Sequence, residues 1–163
     1  MQYRIVIILV LLSNTLYSQN LRDVEAIKKE MLQIDNDKSL IKKTLDSASF
    51  QKEDGGPHWD SVYHHKDIYY RNGEIVKVVS WNSFPGWRND TKAYYFGGKP
   101  IYFAKGESPD GGPYFGLYNF GIYYPQQSTP TVIWLTPKPE NVIDVDKDIF
   151  LTWAQDLSRE AIR

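Results

Sequence analysis

The densest run of chemically capable side chains is "EDGGPHWDSVYHHKD" at 53–67. It holds all 3 histidines of the chain, His58, His64 and His65, together with Asp54, Asp60 and Asp67. Imidazole and carboxylate groups bind zinc-like ions, and without a metal they serve as general acids and bases. If the segment is extended, His64 and His65 point to opposite faces, so only one of them joins His58. No nucleophile is recognisable beside them from spacing. The chain has no cysteine, and serines such as Ser61 carry no distinguishing pattern. An ordinary solvated glycine-rich loop has the same letters.

A second constellation is "SWNSFPGWRND" at 80–90, where Trp81, Phe84 and Trp87 stand among Asn82, Arg88 and Asn89. Aromatic rings beside amide and guanidinium donors suit a sugar or peptide. With Tyr94 and Tyr102 of the following strands, Trp81, Phe84, Trp87 and Arg88 are the candidate recognition surface. The arrangement favoured for the loop itself folds it back so that its tryptophans cap the core. Acidic residues are too numerous and too local to pick out a glycosidase pair, which must face across a cleft. Two function classes follow. One is a non-enzymatic binding protein for an envelope protein, peptide or glycan, and this is the expected class. The other is a metal-dependent or general acid/base hydrolase centred on 54–67. No cofactor is implied, and oligomeric state is left open.

The elements that position these groups begin after "MQYRIVIILVLLSNTLYSQN". Arg4 precedes the apolar run Ile5–Leu12, and a polar stretch ends at Ser18. This is the layout of a secretory signal peptide over 1–18, leaving one domain over 19–163 that is exported, periplasmic or secreted. The apolar run is about half the roughly 20 residues needed to span a bilayer, so no stable membrane span is expected after processing. Without cysteine there is no disulfide framework, and the core alone must hold the domain. Its 7 Phe, 12 Tyr and 5 Trp favour sheet. A formal net charge of −1, with no Lys/Arg run longer than two, excludes an electrostatic nucleic-acid partner.

The 21–47 segment carries helical spacing in Leu21, Val24, Ile27, Met31 and Ile34, then in Ile41 and Leu45. "DND" at 35–37 interrupts the stripe, which predicts a helix over 21–35 and a second over 37–47. Asn20 is the expected cap, with Asp23 completing a capping box. "DIYYRNGEIVKVVS" then predicts a hairpin with a type I′ turn at Asn72-Gly73, Arg71 facing Glu74, Tyr70 facing Ile75 and Ile68 facing Lys77. "TKAYYFGGKPIYFAK" repeats the device 25 residues later. Gly97-Gly98 is the turn, with Phe96 opposite Lys99, Tyr95 opposite Pro100 and Tyr94 opposite Ile101. In this register the missing N–H of Pro100 points away from the Tyr95 strand, so no third strand bonds there and the tip overhangs the sheet. A third Tyr pair, Tyr123-Tyr124, precedes a looser turn and a strand over about 131–136. "DGGP" recurs at 54–57 and 110–113. "PKPENVIDVDKD" reads as an extended linker, and a last helix spans about 146–161 with Ile149, Phe150, Trp153, Leu157 and Ala161 on one side.

The helix, "YYRNGEI" at 69–75 and "YYFGGKPI" at 94–101 resemble a loosely defined group of uncharacterised exported Bacteroidetes proteins, over about residues 21–105. The resemblance implies export and a Tyr/Gly-rich antiparallel meander, and it implies no activity. The expected fold is α+β: a single antiparallel meander, with an N-terminal helix or helix pair and a C-terminal helix packed on one face.

Overall fold

The computed structural model describes residues 23–52, 59–84, 87–109, 119–126, 128–136 and 145–160. The expected signal segment, Asn20, both "DGGP" segments, the 137–144 linker and Ala161 lie outside them. The α+β meander is as expected. Helix α1 (Val24–Asn36) precedes strands β1 (Ile41–Lys52), β2 (Trp59–Arg71), β3 (Glu74–Phe84), β4 (Trp87–Phe96), β5 (Lys99–Pro109), β6 (Phe120–Tyr123) and β7 (Thr131–Trp134), and helix α2 (Lys147–Glu160) closes the chain. The strands form one antiparallel sheet in sequence order.

Asp23, expected at the third position of a capping box, is itself the cap of α1, its carboxylate accepting from the Ala26 N–H at 2.9 Å. The helix ends within "DND". Asp37 takes the backbone N–H and hydroxyl of Ser39, which turns the chain outward as a competing local hydrogen-bond set should. The second helix expected over 37–47 is instead the start of β1. Ile41 and Leu45 are four apart, a spacing that fits one helix face and also one strand face. The partner strand decides between them. Lys42 and Thr44 both bond to Asp67 of β2, at 2.8 and 2.6 Å, which an isolated helix would leave unmade.

Asn72 and Gly73 have φ of 52° and 82°, and Gly97 and Gly98 have 55° and 73°, so both turns are the expected kind. Arg71 faces Glu74 and Tyr70 faces Ile75, yet Ile68 faces Val78 because a bulge between Tyr69 and Tyr70 leaves Val76 extra. The second hairpin repeats the slip. Phe96 faces Lys99 and Tyr95 faces Pro100, but Tyr94 faces Tyr102 and Ile101 is extra. The guanidinium of Arg71 also does not close its turn. It reaches Glu30 at 2.9 Å and Asp37 at 3.1 Å, tying the hairpin to α1. The β5–β6 ladder begins at Tyr102 opposite Tyr123, so Pro100 lies beyond it, as its register requires.

The helices do not share a face. Adjacent residues such as Phe103 and Ala104 belong to different clusters, so the sheet is packed on both sides. Ile27 and Ile34 of α1 bury against Tyr94, Tyr102, Ala104 and Tyr123. Ala154 of α2, with Phe150 and Leu157 beside it, covers Ile68, Val78, Ala93, Tyr95, Phe103 and Ile122. The buried Tyr95 hydroxyl donates to the Ala154 carbonyl at 2.6 Å, pinning α2 in place. The bulges matter here, because each extra residue, Val76 and Ile101, adds a second apolar side chain to the α1 face.

Candidate functional site

The site follows from how the strands change along their length. On the α2 face, one register line crosses the sheet as Ile68, Val78, Ala93, Phe103 and Ile122. Two residues further from the turns the same face reads Leu45, Lys66, Ser80, Thr91 and Lys105, and two further still it reads Ser47, His64, Asn82, Asn89 and Glu107. Four strands thus switch from apolar to polar at the same line. Helix α2 covers the apolar line, and its Trp153, Asp156, Leu157 and Glu160 wall the polar lines. The result is a groove of about 750 Å³.

At its edge, the hydroxyl of Ser49 lies 2.8 Å from Nε2 of the groove residue His64, and Nδ1 of the same ring lies 2.8 Å from Oδ1 of Asn82. Asn89, opposite Asn82, accepts from the Trp87 indole N–H at 3.3 Å. Both groove lysines are paired: Lys66 with Glu160 at 2.6 Å across to the helix, and Lys105 with Glu107 at 2.5 Å. Trp153 keeps 42% of its surface exposed at the wall, with the Lys105 ammonium 5.3 Å from its ring.

The opposite face, beyond the end of α1, carries a separate cluster. His65 stacks on Trp81 at 5.2 Å from β2, and Arg88 sets its guanidinium 4.5 Å from the same ring from β4. One group comes from each flanking strand, so both sides of the indole are taken. Asp90, buried, holds Arg88 at 2.7 Å, and Asp46 holds His65 at 2.6 Å. Partial burial pushes the Asp67 carboxyl upward, but hydrogen bonds from Lys42, Thr44 and His65 outweigh it and keep its pKa below the usual carboxylate range. Exposed Phe50 and Tyr63 lie on this face as well, at 69% and 56%.

The sequence-predicted residues are therefore divided. The 80–90 segment is no loop, because β3 runs to Phe84 and β4 starts at Trp87. Trp81 and Arg88 share one face, and Trp87 lies on the other beside Asn89. Tyr94 and Tyr102, expected on the surface, are core residues under α1 at 0% and 5% exposure. Each sits opposite the helix because the bulges bring a continuous apolar patch there, and the Tyr94 hydroxyl donates to Asp35 at 2.8 Å. His64 and His65 diverge as an extended segment dictates. Asp54 and His58, and the side chains of Phe84 and Asp60, lie outside what is described. Among the described residues no three His, Asp or Glu side chains converge as metal ligands.

Sequence reasoning missed Ser47, Ser49 and Trp153. Ser47 lay at the end of the segment read as helix, and Ser49 lay just beyond it. The polar alternation "SWN" and "NDT" at 80–82 and 89–91 was the available signal for the groove. Among the described residues no helix is long and apolar enough to cross a membrane. The domain is thus a sheet with aromatic clusters at its surface, one on each face. No protein-family model, curated protein or solved structure matches the chain.

Proposed function

We propose that the protein is an exported binding protein that holds a neutral, hydroxyl-rich ligand, a glycan segment, in the groove between the sheet and α2. The observation that carries this reading is the line Ser47, His64, Asn82 and Asn89, one polar side chain from each of four adjacent strands. Strands lie about 4.8 Å apart, so a ligand crossing them meets a polar side chain at each step. The hydroxyl of Ser47 and the amides of Asn82 and Asn89 can both donate and accept, which matches sugar hydroxyls, and His64 holds the Asn82 amide in place. The Trp153 ring offers an apolar surface for a sugar's C–H side. Pairing of Lys66 and Lys105 with glutamates argues for a neutral ligand over a polyanion. Export is supported by the layout of residues 1–18.

The test is a titration of the purified protein with cello-, chito- and malto-hexaose, following tryptophan fluorescence. A saturable change is expected, weakened at least tenfold in an Asn82→Ala/Asn89→Ala variant whose thermal melt is still cooperative. No response to any of the three, or an equal response from the variant, would overturn the reading.

A further inference from the structure

The Ser49–His64–Asn82 chain is more than a satisfied polar contact, and we propose that it is an acyl-transfer centre in which Ser49 attacks carboxylic esters. The three side chains come from β1, β2 and β3, all on the α2 face. Both links are 2.8 Å, the reach required between nucleophile and base and between base and orienting group. An amide oxygen accepts and cannot donate, so Asn82 Oδ1 assigns the ring hydrogen to Nδ1 of His64. Nε2 is then the acceptor, and it faces the Ser49 hydroxyl. Asn82 acts through His64 and is a positioning residue.

The step balances without a co-reactant other than water. As Ser49 Oγ bonds to the ester carbon, its proton passes to Nε2 of His64. The carbon–oxygen bond to the leaving alcohol breaks, and that alcohol takes the proton. Water, deprotonated by the same nitrogen, then frees the acid and restores the serine. A developing oxyanion needs a donor. Strand β1 is bonded only to β2 among the described residues, and every second N–H of such a strand points outward, so one lies at Ser49 or at the residue beside it. The polar line of the groove leads away from Ser49 through His64 to Asn82 and Asn89, which gives the ester-bearing molecule a place to lie.

This inference does not depend on the glycan reading, because small probes suffice to test it. The purified protein is treated with a fluorophosphonate, and the labelled peptide is identified by mass spectrometry. Hydrolysis of p-nitrophenyl acetate is measured alongside. Labelling at Ser49 is expected, together with at least tenfold faster hydrolysis than in Ser49→Ala and at least tenfold slower labelling in His64→Gln. Absence of label on Ser49, or labelling undiminished in His64→Gln, overturns the proposal. A second measurement covers the case in which His64→Gln fails to fold. The chain contains no cysteine, so Ser49→Cys carries a single thiol, and its iodoacetamide reaction reports the neighbouring imidazole directly. Alkylation at pH 7 at least tenfold faster than that of an unstructured cysteine peptide supports the centre, and an ordinary rate overturns it.

Discussion

At the scale of single residues, the Tyr94-Tyr95 pair shows what a side chain does when its neighbours alternate. Tyr94 faces α1 and Tyr95 faces α2, and each hydroxyl finds a helix: Asp35 in one case, the Ala154 carbonyl in the other. Burial pushes the Tyr95 phenol well above the ordinary tyrosine range, so it stays a neutral donor at any physiological pH. Tyr95→Phe removes this donor from a site that is 1% exposed. We expect a loss of about 1 kcal/mol, read as a fall of about 3 °C in the thermal midpoint. An unchanged midpoint would mean that the hydroxyl does not anchor α2. The sequence made the divergence of His64 and His65 legible, since a strand has a side-chain period of two. It did not reveal that Tyr94 and Tyr102 are buried, because an aromatic in an alternating strand looks the same under a helix as under water. Ser49 illustrates a harder case. Its partners lie 15 and 33 positions away along the chain, and only the register unites them.

At the scale of elements, the turns were readable and the ladder slips were not. Asn-Gly and Gly-Gly supply the positive φ that type I′ turns demand. Nothing local announces a bulge, yet both hairpins carry one at the same place, Val76 in the first and Ile101 in the second. The repeat is therefore structural as well as textual. The misreading of β1 has a similar origin, since Ile41 and Leu45 suit either period and Asp67 of the neighbouring strand settles the matter. Strand β6 offers a test of how tightly the α1 face is filled. A Cβ at Gly121 would lie only 2.7 Å from Cζ of Tyr102. That ring cannot retreat easily, being held edge-on to Tyr94 and tilted against Tyr123. Gly121→Ala should cost about 1–3 kcal/mol by overpacking, measured by urea denaturation. Tyr102→Phe in the same background should recover part of the loss, because the hydroxyl is among the atoms in the way. If Gly121→Ala is neutral, the face is looser than its burial indicates.

At the scale of the whole molecule, the expected single covered face proves to be two, one helix on each side of a sheet. Composition could not distinguish these arrangements, since both need a helix with one apolar stripe. Placing the helices on opposite faces leaves the turn-distal half of each face uncovered, and that is where the groove and the Trp81 cluster lie. The same geometry makes the docking of α1 sensitive to acid. Asp35, at the end of the helix, is pushed up by partial burial. Hydrogen bonds from Lys77 and Tyr94, with the charge of Lys77, outweigh this and hold its pKa below the usual carboxylate range. Asp37 is lowered as well, by bonds from Ser39 and then from Arg71. A carboxylate whose folded pKa is depressed contributes stability that is fully present above its unfolded value of 3.8 and is lost as pH falls through the folded one. Asp35→Asn should therefore be less stable than the natural protein at pH 7. The gap should narrow as both are taken below about pH 4, where the carboxyl of the unfolded chain begins to take up its proton while the folded one still resists it. Urea denaturation of the two proteins across this range reads the result directly, and a gap for Asp35→Asn that stays constant with pH would show that Asp35 does not couple α1 to the sheet through its charge.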